Sequence, residues 1–565
     1  MKQEYKIKGG ERTNKKVLAL TSILLLMAST LMANFMLSVQ AKLTKNSFNG
    51  TGKVLVQGAP IHGANGIMFD GNDQLYIASV VGREIVVMDP KSGRILERLG
   101  TDKGVEGPDD LTFGPDGSLY WASILTGEVG RLSPDGTVKK QFVALGVNPI
   151  TFSDDGRLFV ALDFLGDALY ELDPDLVDPP RLIAGNLGFL NGMDWGPDGY
   201  LYGPIWTQGR VVRIDVDSDP FEMEPVADGF GTPAAVKFDS KGNLFVADQM
   251  LGEISRVDTV TGDKQVVATG LSGLDNLAFD SHDRLYVSHA GDGSIHQILP
   301  SGKTRTVSKG GMILPGGVAV IPHPHPGESI FVADLWTLRE FDGLTGRPGM
   351  VERHDLTVPG DITSPMTVSA DGDNLILSSW FANEVQVWNP ETSTVVEDYL
   401  GFAVPLNAIG FQGDIAVAEL LTGSVVWASN RSTIASGLYV PAGLAATEDD
   451  LWVSDWVTGI VWQIVDDGVI IPKAFVAGGL LGPEGLAVDL DGSLLVVESG
   501  AGQLSRINPE TGIVSTVVDG LELGAGAVPD YPPTWAFNGV AVGSTGYIYV
   551  TGDVANVLYR FKPTN

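Results

Sequence analysis

The feature that most limits what this chain can fold into is a repeat. Asn65–Ser79, Pro233–Asp248 and Pro483–Glu498 each read as a β-rich run, a tight Gly-containing turn and a second β-rich run. In each unit a third run follows (Glu253–Asp258, Gln503–Asn508), then a Thr-Gly or Asp-Gly turn and a fourth such as Gln265–Ala268. Short β-rich runs separated by Asp-Gly, Asn-Gly and Pro-Asp-Gly are the signature of antiparallel hairpins. Aligning the residue before the first run gives twelve starts: Asn65, Asp109, Asn148, Asn191, Ala234, Asp275, Gly316, Ser364, Asn407, Ala442, Glu484 and Asn538, spaced about 43 residues apart. That period is one four-stranded propeller blade, and propellers close with about 4–8 blades. The expected fold is therefore all-β, two tandem six-bladed β-propellers.

Two lone runs bear on closure. Lys53–Gln57 is a fourth-type strand ahead of the first repeat, and the last repeat stops after its third strand, Asn556–Phe561. The expectation is that Lys53–Gln57 completes the sixth blade and Thr304–Val307 the twelfth. The rings would then span 51–302 and 303–565.

The first 41 residues differ from the rest: a basic start ending at Lys15-Lys16, an apolar run Val17–Leu37, then Ser38–Ala41. This is a signal-peptide pattern, so the mature protein is expected to be periplasmic or secreted. A retained membrane anchor is the alternative, and no later segment is apolar enough to span. Removing a leader of net charge +4 takes the chain from −32 to −36. So acidic a surface repels phosphate backbones, which excludes nucleic acid, and suits divalent cations. Acidity that only keeps an exported protein soluble is the competing explanation. Cysteine is absent, so disulfides, thiolate metal sites and a cysteine nucleophile are excluded.

Within an antiparallel blade the start of the innermost strand and the end of the second lie at one end of the ring. The first ring therefore gathers Asn65, Asp109, Asn148, Asn191, Ala234 and Asp275 with Ser79, Ser123, Leu162, Ile205, Asp248 and His289 at one mouth. The second gathers Gly316, Ser364, Asn407, Ala442, Glu484 and Asn538 with Asp334, Ser379, Glu419, Asp455, Glu498 and Gly552. Carboxylate and amide oxygens around an axis are hard ligands for Ca²⁺ first, or Mg²⁺ or Mn²⁺. Asn65, Asp109, Asn191 and Asp275 are the candidate metal ligands. A second candidate site comprises Asn407, Glu419, Asp455, Glu484, Glu498 and Asn538. The same residue types also serve as ordinary turn and loop ties. Asp248, Asp275 and His289 are candidate catalytic groups, since His289 could be a base held by carboxylates. Trp206, Trp336, Trp380 and Trp456 follow second strands, where they either stack on a ring substrate or pack between blades. His323 and His325 fall in a Pro-rich insertion and are expected at the surface. No zincin, nucleophile-elbow, Walker or dinucleotide motif stands in a supporting context.

Gly242–Asp248 with Gly252–Arg256 resembles NHL-type repeats and the gluconolactonase/regucalcin superfamily of six-bladed propellers, with virginiamycin B lyase a looser relative. The resemblance implies a Glu, two Asn and an Asp at blade entries holding a divalent metal and the substrate, and a lactone carbonyl polarised for attack by water. By blade order Asn148 matches the substrate-contacting Asn. Asn191, in Leu190–Trp195, matches the metal-binding Asn. Asn65 stands where the Glu is expected and Ala234 where the Asp is expected. In the second ring Glu484 and Asn407 keep family positions, while Gly316 and Ala442 do not. The functions that follow are a divalent-metal-dependent lactone or ester hydrolase, a lyase on the same scaffold, or a non-catalytic extracytoplasmic propeller binding a protein, glycan or small ligand.

Overall fold

A computed structural model describes residues 52–322, 327–354, 360–527 and 534–562. The leader, His323 and His325 lie outside these. The described chain forms twelve four-stranded antiparallel sheets. Among the described residues no helix is long and apolar enough to cross a membrane.

Each blade is built from its own tight turns. In the sixth, Leu274–Phe279, Leu285–His289, Ile295–Ile298 and Thr304–Ser308 pair in sequence order. Blades meet through aromatic side chains. In the first ring the second residue of each second strand packs on the last residue of a neighbouring first strand: Tyr76 on Phe113, Tyr120 on Phe152, Phe159 on Trp195, Tyr202 on Phe238 and Phe245 on Phe279. The sixth pair, Tyr286 on Phe69 at 5.0 Å, joins the last blade to the first and closes the ring. Ser288 Oγ seals the same seam by donating to Asn65 O at 2.6 Å. The second ring closes where Pro315–Pro322 packs on Val540–Val542 and Ile548–Gly552. There Gly539 N donates to Gly316 O at 3.0 Å.

First strands converge on the axis, and glycine appears where they touch. Gly66 N donates to Asp109 O at 2.7 Å. A Cβ on Gly66 would sit 2.5 Å from Asp110 Oδ1. Gly485 and Gly539 face equally close backbone from the next blade. These glycines let the strands approach without steric conflict.

The closing strands are exchanged relative to the sequence expectation. Gly52–Gln57 pairs with Val557–Phe561 and completes the twelfth blade, not the sixth. Thr304–Ser308 stays with its own blade, the sixth, and does not complete the twelfth. The reason is local: Leu299 N to Lys303 O at 2.8 Å and Gly302 N to Leu299 O at 2.9 Å form a tight turn, so the fourth strand pairs without a long loop to close. The second ring thus consists of 52–57 and 315–561, with the first ring inserted between. The two crossings run side by side, Gly58 N donating to Asn556 O at 2.6 Å and Ala59 N to Met312 O at 2.8 Å.

This topology has a testable consequence. Val54, Leu55 and Val56 pack into the second ring's clusters. A chain beginning at Gly58 is expected to lose the second ring's cooperative melting transition or lower it by on the order of 10 °C, because Val557–Phe561 becomes an unpaired edge. The first ring's transition should persist. Calorimetry of the truncated chain checks both.

Candidate functional site

The first ring's mouth brings the entry residues together. Asn148 Nδ2 donates to Asp163 Oδ2 at 2.9 Å and to Asn191 Oδ1 at 3.3 Å, and Asn191 Oδ1 also accepts Gly192 N at 2.7 Å. Asn65 Oδ1 accepts Val80 N at 3.3 Å. Burial, first, then the charges of Asp275, Asp163 and Asp110 push the Asp109 carboxyl well above the usual range. Asp109, Asp163 and Asp275 come from blades two, three and six, which a ring of six cannot make mutual neighbours. The charges of Asp163 and Asp275 both bear on Asp109.

Asp163 is the group that sequence reasoning missed. It follows Leu158–Leu162 by one residue, where the strand-end alignment picks Leu162. It is 6 % exposed, and its Oδ1 has no hydrogen-bond donor within reach among the described residues. Burial, opposed by the Asn148 hydrogen bond and helped by Asp275, raises its carboxyl to about 7. Deeper in the channel, Asp110 accepts Ile150 N at 3.1 Å and Asn276 Nδ2 at 3.3 Å.

Most other acidic candidates are loop clamps. Asp248 accepts Gly231 N at 2.7 Å, Thr232 N at 3.0 Å and Leu251 N at 3.1 Å, so both oxygens hold that loop. Asp455 holds Tyr439 N and Val440 N, Glu419 holds Ala403 N and Thr422 Oγ1, and Glu498 holds Leu481 N, Gln503 and Ser505. Asp334 accepts Ile313 N and Leu314 N and pairs with Arg339 at 2.6 Å. Each fixes the loop entering its own blade, so the second acidic set does not form one site. His289 Nε2 meets Ser272 O at 2.7 Å, while Nδ1, 3.3 Å from Asp292, makes no hydrogen bond among the described residues. Arg353 of the second ring packs over it and over Gly273 and Gly291, which makes His289 part of the junction between rings. Trp206 is half-buried beside Phe189 at 6.0 Å.

In the second ring Glu484 and Asn538 do meet. Glu484 Oε2 accepts Asn538 N at 2.7 Å and Nδ2 at 2.8 Å, and Trp456 Nε1 reaches Oε1 at 3.3 Å. Asn407 lines the axial cavity of about 320 Å³ with Asn538 and small residues such as Gly317, Ala442 and Gly485. Above it Leu335, Trp380, Trp535 and Phe537 form a buried apolar cluster in place of a ligand set.

Among the described residues one group has three metal-ligating atoms within 4.8 Å of one another: Asp73, Asp280 and His282. It sits at the opposite end of the first ring, in the turns joining first and second strands. Asp280 is paired with Arg284, and Asp73 accepts Ser281 N at 2.9 Å and Oγ at 2.8 Å. Asp283 clasps Ser240 on the adjoining blade in the same way. The group is a seam between blades.

No family model and no curated protein sequence matches the chain. Solved structures match by shape. A streptogramin B lyase is 16 % identical, TM-score 0.37, over 54 % of this chain and 98 % of its own. A gluconolactonase from Xanthomonas campestris is also 16 % identical, TM-score 0.35, over 42 % and 85 %. The extracellular domain assigned to a hybrid two-component system of B. thetaiotaomicron is 10 % identical, TM-score 0.32, over 90 % and 82 %. At these scores nothing about activity passes from them to this chain.

Proposed function

We propose that the first ring's mouth holds a divalent cation, Ca²⁺ foremost with Mg²⁺ or Mn²⁺ as alternatives, and that the protein is an exported lactone or ester hydrolase. The observation that carries this reading is the buried Asp163 oxygen without a donor, in a mouth where the charges of Asp109 and Asp275 add to the same negative field. Carboxylates that repel one another in a buried mouth are stabilised by a cation among them. Asp109 and Asp163 would supply charge and Asn65 Oδ1 its second lone pair, whereas Asn191 Oδ1 already accepts Asn148 Nδ2 and Gly192 N and would have to give one of them up.

When bound, the ion polarises a carbonyl oxygen for attack by water. Asn148 orients Asp163 through its 2.9 Å hydrogen bond. Asp275, whose charge bears on both Asp109 and Asp163, is the carboxylate proposed to take the proton from the attacking water.

One observation favours a second reading, a non-catalytic binder of a small ligand, glycan or protein outside the cytoplasm: two of the three candidate catalytic groups are engaged in structural contacts. The readings differ in turnover, not in cation binding.

Elemental analysis of purified full-length protein, with melting curves before and after chelation, is the test. Stoichiometric metal is expected, and cation at about 100 times its Kd should stabilise by about 2.7 kcal/mol, a rise of roughly 5–10 °C. Loss of both in Asp109→Ala/Asp275→Ala is also expected. Metal-free protein whose melting ignores chelation overturns the reading.

A further inference from the structure

The two rings do not contribute alike. The second ring's mouth carries an apolar cluster, and two side chains of the first ring, Val81 and Leu125, pack against it. Val81 adjoins Val80, whose amide binds Asn65 Oδ1 at the rim of the first mouth. Leu125 lies two residues past Ser123, the register partner of Pro108, which immediately precedes Asp109. The apolar mouth of the second ring therefore borders the sector of the first mouth that holds Asn65 and Asp109. Within the cluster Trp336, Phe381 and Trp456 are only partly buried, whereas Trp380 and Trp535 stack beneath them at 6.3 Å.

Trp336 is held there at a conformational cost. In most other blades four residues join the second and third strands, and the last has positive φ, usually as glycine. In the seventh, Asp334 pairs directly with Thr337, leaving a two-residue turn, Leu335-Trp336, with φ of 31° and 64°. Asn-Gly is the pair this turn favours, and a bulky side chain at such φ is strained. The indole lies against Phe381, 5.7 Å between ring centroids.

We propose that the second ring supplies an aromatic wall to the first ring's cation site. The ligand is then bipartite: an oxygen-rich head held at Asp109, Asp163 and Asp275, and a flat apolar ring held against Trp336, Phe381 and Trp456. This rests on the cation reading of the first mouth.

The test uses full-length protein and two probes that share a head, acetate and phenylacetate, titrated calorimetrically into Ca²⁺-loaded protein. Phenylacetate is expected to bind about tenfold tighter, in line with stacking energies. Trp336→Gly should reduce that preference to about threefold or less while leaving Ca²⁺ affinity unchanged. This variant is chosen to fold, because glycine accepts φ of 64° without strain. Phe381→Ala is the second variant and should act in the same direction. Equal affinity for the two probes, or a preference that survives both variants, overturns the aromatic wall and leaves the cation site standing. Failure of Ca²⁺ itself to bind overturns both.

Discussion

Asp163→Asn is expected to abolish the cation-dependent rise in melting temperature and, at pH 8 in chelator, to melt higher than the parent protein. Both effects come from one oxygen. Asp163 is buried, and its Oδ1 has no donor within reach among the described residues. Its carboxyl is raised to about 7, by burial before any neighbouring charge. In the unfolded chain it ionises near its ordinary value, about 3.9. Between those values the native state holds a proton that the unfolded state has released, so stability falls as pH rises from about 4 to about 7. The full cost is present at pH 8, on the order of 2–4 kcal/mol. The amide that replaces the carboxylate carries no charge, and its oxygen can still accept the Asn148 hydrogen bond. The variant should therefore gain roughly 5–10 °C at pH 8 and nothing at pH 4. A carboxylate kept only to hold the rim together would behave oppositely, with the variant melting lower at both pH values. Thermal melts at the two pH values, with and without Ca²⁺, separate the cases.

The repeats made the architecture readable before any coordinate. Turn chemistry and alternation repeat every 43 residues or so, and each blade forms from contacts within its own segment. Closure was not readable, because Gly52–Gln57 has no sequence feature that prefers one ring's edge over the other's; only the tight turn at Leu299–Lys303 decides it. A signal for ring closure did exist, in the aromatic second residue of each second strand from Tyr76 to Tyr286. At the site, chemistry at the rim depends on one-residue shifts. Bulges displace Pro108/Asp110 and Leu274/Leu277, so that Asp110 and Asn276 turn into the channel beside Asp109 and Asp275. Asp163, one residue beyond its strand, enters the mouth, whereas Asp248, on its strand's last residue, clamps a loop. The two carboxylates differ in neighbours, which composition does not encode.

Glu484→Gln is expected to flatten the pH dependence of the second ring's stability. Glu484 is fully buried, accepts hydrogen bonds from Asn538 N and Nδ2 at 2.7 and 2.8 Å, and lies beside Asp553. Burial first, then the Asp553 charge, pushes its carboxyl up to about 8, while Asp553 itself rises to about 6. Both native values exceed the ordinary ones, so the pair keeps protons that the unfolded chain releases. The pair's contribution is fully present only below about pH 4 and declines up to about pH 8, by as much as about 1.4 kcal/mol per pH unit for each proton held. The glutamine carbonyl oxygen still accepts from Asn538, at the cost of the long 3.3 Å contact from Trp456 Nε1, which then meets the amide nitrogen. It also relieves Asp553 of a neighbouring charge, which brings that carboxyl down as well. At pH 8 the variant should melt higher than the parent by several degrees, and the two curves should converge near pH 4. Glu484→Ala serves as the contrast: it leaves the buried Asn538 donors without an acceptor and should cost about 2–4 kcal/mol at every pH. A Glu484→Gln variant whose melting temperature still falls as steeply from pH 5 to pH 8 would show that the proton resides elsewhere, and that Glu484 is held ionised by its two contacts with Asn538.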